Sequence, residues 1–173
     1  MNDEQRYFGK YRGTVVNPTT PETNGRITAT VTVGGTPMLV VAEACTPFAG
    51  ASMGFYGMPQ AQAGVWIEFE EGDLNRPIWT GCWWPEGQLA LALGTGVDFT
   101  TLPLAMQSAA GNRLVISTLS DDCITLETAL ADAGARVVIS MDKLTLSFGP
   151  LVSIELSIDG VKICGEALTV VPV

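Results

Sequence analysis

Histidine is absent from all 173 residues. That removes the commonest general base, the Ser-His-Asp and Cys-His arrangements and the usual imidazole metal ligand, so most hydrolase mechanisms lose a member. Basic side chains are scarce: nine Lys and Arg stand against eighteen Asp and Glu, a formal net charge of −9. A surface able to neutralise phosphates, the source of most non-specific nucleic-acid affinity, is therefore largely missing. The four cysteines, Cys45, Cys82, Cys123 and Cys164, are far apart and form no C-x-x-C pair. A zinc ribbon or a disulfide framework has no support, and the thiols are expected to act as small buried hydrophobes. No apolar run approaches the roughly 18 residues of a membrane helix, and the start M-N-D-E-Q-R lacks the pattern of a secretory signal. Synthesis in the cytoplasm is the expectation.

What the chain does have is apolar content, 47%, enough to pack one or two small domains. It also concentrates its tryptophans: Trp66, Trp79, Trp83 and Trp84 all fall in residues 64–84, G-V-W-I-E-F-E-E-G-D-L-N-R-P-I-W-T-G-C-W-W. So much bulk in one stretch marks a core. Val65, Ile67 and Phe69 alternate with Trp66, Glu68 and Glu70, the period of two expected of a strand with one buried face. Ile78 and Trp79 resume the pattern after a turn-rich stretch, which predicts a hairpin with Pro77 opening its second strand. The acidic corner Glu70, Glu71 and Asp73 is the nearest approach to a catalytic carboxylate pair. A general acid needs apolar surroundings to raise its pKa, whereas these carboxylates lie among turn residues beside Arg76, so a solvated turn is expected.

Upstream, residues 1–6 form a polar tail, and a first strand is predicted from Tyr7 to Val16, with Gly9 and Gly13 as sites for a kink or bulge. Residues 17–25 are turn-rich. Ile27, Ala29, Val31 and Val33 then alternate with Thr28, Thr30 and Thr32, Gly34-Gly35 turns the chain, and Met38 to Ala44 reads as a strand buried on both sides. Between Cys45 and Gly64 the large groups Phe48, Met53, Phe55, Tyr56 and Met58 crowd one loop. They belong to a buried connection or to an interface. Interface is the preferred reading, because a monomer would struggle to bury so many in one loop.

The order G-V-W-I-x-F, G-D-x-x-R-P and W-x-G within residues 64–81 resembles a hairpin of the OB-fold domain in the central spike proteins of contractile injection machines. That family includes phage baseplate assembly protein V, the needle-bearing tail-associated lysozymes and the valine-glycine repeat spikes of type VI secretion. Y-R-G-T-V-V-N at 11–17 and N-G-R-I at 24–27 are similar to the family's opening strand, loop and second strand, so the matches span about half of the chain. The resemblance implies an all-β fold, with an N-terminal OB-fold barrel in residues 1–86, a linker in 87–111 and an intertwined trimeric β-helix or β-prism in 112–173. It places Phe48, Met53, Phe55, Tyr56 and Met58 near neighbouring subunits and the baseplate hub. The lysozymes of that family carry an inserted domain; no insertion of that size occurs here, so their activity is not implied. Needle tips of several relatives hold iron through histidines, which this chain lacks, so no metal and no other cofactor is expected. The apolar end L-T-V-V-P-V suggests that a separate small tip protein docks there.

After Trp84 the composition shifts to small, uncharged residues, with a helical turn expected near Gln88 to Leu93 and a linker lying on protein rather than in water. From Gly111 onward short alternating segments recur at 113–117, 123–127, 136–140, 143–147, 153–158, 161–164 and 167–170. A single sheet with one apolar face is not stable alone. Three chains around a common axis would place Leu114, Ile116, Ile124, Leu126, Leu144, Leu146, Ile154, Leu156, Ile158, Val161 and Ile163 in one dry column. The alternative is a small monomeric sandwich folded on itself.

Three function classes compete. A peptidoglycan hydrolase needs spaced carboxylates in an apolar cleft, and an OB-type single-strand binder needs basic residues interleaved with aromatics. Trp66, Trp79 and Trp83 are available for the second, but the charge has the wrong sign. A structural spike needs a rigid trimer and no active site. The sequence is therefore read as a non-enzymatic, homotrimeric spike assembled into the baseplate of a phage tail or injection particle. It would contact the hub and inner tube proteins and help pierce the target envelope on sheath contraction, with only transient contact with the membrane. A nucleic-acid-binding OB domain is the alternative.

Overall fold

The alternation of apolar residues and threonines in Ile27–Val33 places Ile27, Ala29, Val31 and Val33 inside a closed barrel and the threonines outside it. The computed structural model describes residues 5–18, 24–89, 103–119, 121–130, 133–164 and 167–170. The chain is all-β and divides into two units at Gln88/Leu89.

In the first unit β1 (Tyr11–Asn17), β2 (Ile27–Val33) and β3 (Thr36–Ala44) form an antiparallel meander. The β2–β3 turn holds Gly34 at φ +57° and Gly35 at φ +83°, the left-handed pair that a two-residue hairpin turn requires. A small ribbon follows, β4 (Ala49–Gly50) with β5 (Met53–Gly54), and then the hairpin β6 (Gly64–Phe69) and β7 (Pro77–Trp83). β6 pairs antiparallel with β1, and β7 pairs parallel with β3 through Glu43 opposite Ile78 and Ala44 opposite Trp79. The closed order β1-β2-β3-β7-β6 is the five-stranded OB topology. Val15, Ile27, Ala29, Val31, Val40, Ala42, Val65, Ile67, Phe69 and Trp79 fill its core.

Three expectations within the barrel are corrected. β1 starts at Tyr11 rather than Tyr7, because the preceding segment is tied elsewhere: the Tyr7 N–H donates to the Gly72 carbonyl at 3.0 Å. β3 is not buried on both sides, since the barrel wall leaves Leu39 and Val41 on its outer surface. The tryptophans do not form one core. Trp79 is 6% exposed, with its indole N–H donating to the Gly25 carbonyl at 3.0 Å, but Trp84 is 64% exposed and Trp66 faces outward, opposite in phase to Val65 and Ile67. Trp83 would share the inward phase of Trp79 in an unbroken strand. A bulge prevents this: Thr80 and Gly81 stand together opposite Trp66, which shifts Trp83 to pair with Gly64.

The second unit is one sheet in which every strand pairs antiparallel with its neighbour in sequence. Its strands are β8 (Leu104–Gln107), β9 (Arg113–Ile116), β10 (Ile124–Glu127), β11 (Ala135–Ile139), β12 (Lys143–Phe148), β13 (Val152–Ser157), β14 (Gly160–Ile163) and β15 (Leu168–Val170). β8 falls inside the stretch read as a linker, and its L-A-M-Q alternates well enough to extend the sheet by one strand beyond β9. The helical turn expected at Gln88 to Leu93 begins at Gln88 and Leu89, and its remainder lies outside the described residues.

Candidate assembly surfaces

Directly opposed residues on neighbouring strands share one face of a sheet, so the register sorts the side chains of the second unit. One row runs Leu104, Ile116, Ile124, Ile139, Leu144, Leu156, Val161, Val170. The adjacent row on the same face runs Met106, Leu114, Leu126, Val137, Leu146, Ile154, Ile163, Leu168. Both rows are aliphatic from edge to edge. Ten of the residues expected in a shared column lie on them: Leu114, Ile116, Ile124, Leu126, Leu144, Leu146, Ile154, Leu156, Val161 and Ile163. Ile158 does not. It falls in the β13–β14 turn, off the ladder, and is 90% exposed. Leu104 and Met106 join the rows from a strand whose small, uncharged surroundings have the composition of a linker. Val137 and Ile139 join them from a run of three successive apolar residues, Val137 to Ile139, which leaves the phase of β11 undefined until its partners are known. In the single chain much of this face is open to solvent, Leu126 to 55%.

The opposite face is mostly polar, with Val115 and the buried Val138 set among its threonines and charges, and it leaves the buried Arg136 Nε without a hydrogen bond. Arg113, Glu127 and Arg136 are consecutive cross-strand neighbours. The Glu127 carboxylate, 8% exposed, accepts from the Arg113 guanidinium and lies 3.4 Å from Arg136 Nε, while Arg136 Nη2 reaches Asp122 at 3.3 Å. Lys143 Nζ donates to Glu155 Oε2 at 3.1 Å, and that carboxylate holds the Lys143 ammonium above its ordinary pKa. Arg113, Arg136 and Lys143 thus lie against carboxylates, whereas among the described residues the aliphatic face has no second apolar layer over it.

The first unit carries a separate apolar surface in the loop from Cys45 to Ala63. Phe48, Met53, Phe55 and Tyr56 are exposed around the β4–β5 ribbon. Met58, the fifth residue of the expected interface set, is half-buried, packing against the barrel core while also lining the groove beside this loop. A groove of about 750 Å³ runs between this loop and β7, lined by Pro47, Met53, Phe55, Tyr56, Trp79 and Cys82 among others and bearing no charged side chain. The cysteines are not the buried hydrophobes expected from sequence. Cys45, Cys82 and Cys164 are exposed and Cys123 is half-buried, the first two because the end of β3 and the β7 bulge bring them to the groove.

On the outside of the barrel Arg12 stacks over two indoles, its guanidinium carbon 5.5 Å from the Trp66 ring centre and 4.8 Å from that of Trp83. The Trp83 indole N–H donates to the Val65 carbonyl at 3.2 Å, and its ring lies so close over Gly64 that a Cβ there would stand 2.6 Å from it. Trp66 and Trp83 are thus engaged in a cation–π stack and Trp79 is in the core, which leaves Trp84 as the exposed indole. The acidic corner is a tight exposed turn. Glu70 pairs with Arg76 at 2.5 Å, and Asp73 accepts from the Asn75 backbone and side-chain amides at 2.9 and 3.0 Å. The Asn75 backbone hydrogen bond holds Asp73 below the usual carboxylate pKa, the wrong direction for a general acid.

Residues 11–84 match the family model described as the type VI secretion system/phage-baseplate injector OB domain. The matched span runs from the first residue of β1 to one residue beyond the end of β7, so it covers the barrel and nothing of the second unit. No curated protein matches the chain.

Proposed function

We propose, from the premise that residues 11–84 belong to the injector OB-domain family of type VI secretion systems and phage baseplates, that this protein is a homotrimeric spike at the centre of such a baseplate. The observation that carries the proposal is the pair of unbroken aliphatic rows on one face of the second unit, which lack any apolar partner in their own sheet. Three copies with these faces turned to a common axis would bury both rows. Eight strands stacked at the usual spacing of about 4.8 Å make a shaft roughly 34 Å long. Its role is mechanical. Sheath contraction drives the tube and spike forward, and a sheet whose interior backbone groups are all paired transmits compressive load with little local opening. The work needs no catalytic group and no cofactor.

Partners follow from the exposed surfaces. Phe48, Met53, Phe55 and Tyr56 offer adaptable apolar contacts to the hub and inner tube. Leu168 and Val170, exposed on the edge strand β15, offer a docking place for a small tip protein. The net charge of −9 gives the phosphates of a single-stranded nucleic acid little to hold. Electron microscopy of particles assembled with and without this chain tests the assignment. The expected difference is loss of an axial density at the baseplate centre, together with loss of injection. Particles that keep that density and still inject without the chain would overturn the proposal.

A further inference from the structure

The loops that join the strands of the second unit are unusually apolar at their tips, and their placement points to a seam between copies. In an antiparallel meander successive turns alternate between the two lateral margins of the sheet. Leu119, Met141 and Ile158 therefore lie on one margin, in the β9–β10, β11–β12 and β13–β14 turns. Leu130 and Leu151 lie on the other, in the β10–β11 and β12–β13 turns. All five are exposed, from 50% for Leu119 to 90% for Ile158. Turns exposed to water are ordinarily built from Gly, Asn, Asp and Ser.

We infer that the two margins of neighbouring copies interlock, Leu130 and Leu151 of one chain seating between Leu119, Met141 and Ile158 of the next. The inference rests on the trimeric reading above and says how its walls are joined. Turns on one margin recur every second strand, about 9–10 Å apart, and the two margins are offset from each other by a single strand spacing. Pure rotation about an axis along the stack keeps every residue at its own height. Leu130 then falls midway between Leu119 and Met141, and Leu151 midway between Met141 and Ile158, with no axial shift needed. Such a contact joins unlike surfaces head to tail, and a rotation that closes makes a ring. Two sheets stacked face to face would also cover the aliphatic rows, but would leave all five tips in water. Because each strand pairs within its own chain, the copies meet through side chains at the seam rather than through shared ladders.

The test is disulfide capture on the full chain carrying Met141→Cys and Leu151→Cys together. Within one chain the two positions are separated by the length of β12, about 20 Å, beyond the roughly 7 Å Cα span of a disulfide, so any bond joining them links two chains. Mild oxidation is expected to give a ladder of one, two and three linked chains that stops at three. Peptide mapping should show the 141–151 bond apart from any formed by the native cysteines. The pair Leu119→Cys with Leu130→Cys, spanning β10, reads the next rung in the same way and keeps the test available if the first pair misfolds. If neither bond forms while the unmodified protein runs at the mass of three chains, the seam is wrong and the trimer stands. If the unmodified protein runs as a single chain, both fail together.

Discussion

Leu156→Asp is expected to abolish assembly of the second unit while leaving the barrel folded. Leu156 lies in the middle of an aliphatic row, directly opposite Leu144 on one side and Val161 on the other. Around a three-fold axis each substitution is made three times in one place, so three carboxylates would enter an apolar column together. The penalty for burying an unpaired charge is on the order of several kcal/mol per ion, before mutual repulsion is counted. Ser157→Asp supplies the control. It places the same charge one residue along, on the polar face and directly opposite Lys143, where a carboxylate is well received. All four tryptophans belong to the first unit, so their fluorescence reports the barrel alone. The expected result for Leu156→Asp is loss of the oligomer with native tryptophan emission, and for Ser157→Asp an unchanged oligomer. An intact trimer in Leu156→Asp would show that the aliphatic face is not the shared one.

Trp79→Ala is expected to have the complementary effect. The indole is buried in the barrel core and its N–H satisfies the Gly25 carbonyl, so truncation opens a cavity and orphans an acceptor at once. Large aromatic-to-alanine changes in cores lose about 3–5 kcal/mol, and for a domain of this size that corresponds to a fall in Tm of about 12–40 °C. Trp84→Ala, at an exposed position, should stay within about 0.5 kcal/mol of the parent. Thermal unfolding followed by circular dichroism distinguishes them. Near-equal melting of the two variants would mean that Trp79 does not anchor the barrel.

The barrel was legible in the sequence wherever one face is buried and the strand unbroken. Alternation in β2 and in β6 assigned Ile27, Ala29, Val31, Val65, Ile67 and Phe69 correctly to the inside, since a period of two leaves only one face for them. The failures share a cause, which is that phase depends on partners. Trp83 points outward because of a bulge two residues earlier, and nothing in T-G-C-W announces which residue will be the extra one. Leu39 and Val41 are apolar on the solvent side, so Met38 to Ala44 looked buried throughout. In the second unit, residues spaced two apart in I-T-L-E or L-T-L-S identified the aliphatic face directly. In R-V-V-I-S they did not, and Val137 and Ile139 joined the rows only through their pairing with Leu126, Leu146, Ile124 and Leu144. The cysteines misled because small apolar residues are usually buried, whereas Cys45 and Cys82 stand at a groove that exists only once the 45–58 loop folds beside β7.

Sedimentation equilibrium of the purified chain at micromolar concentration decides whether three copies share the aliphatic face, because the rows either have a partner in solution or they do not. A single species of three times the 18.3 kDa of one chain is expected, unchanged on dilution across the micromolar range. A folded, monodisperse species at 18.3 kDa with its second unit intact would contradict it.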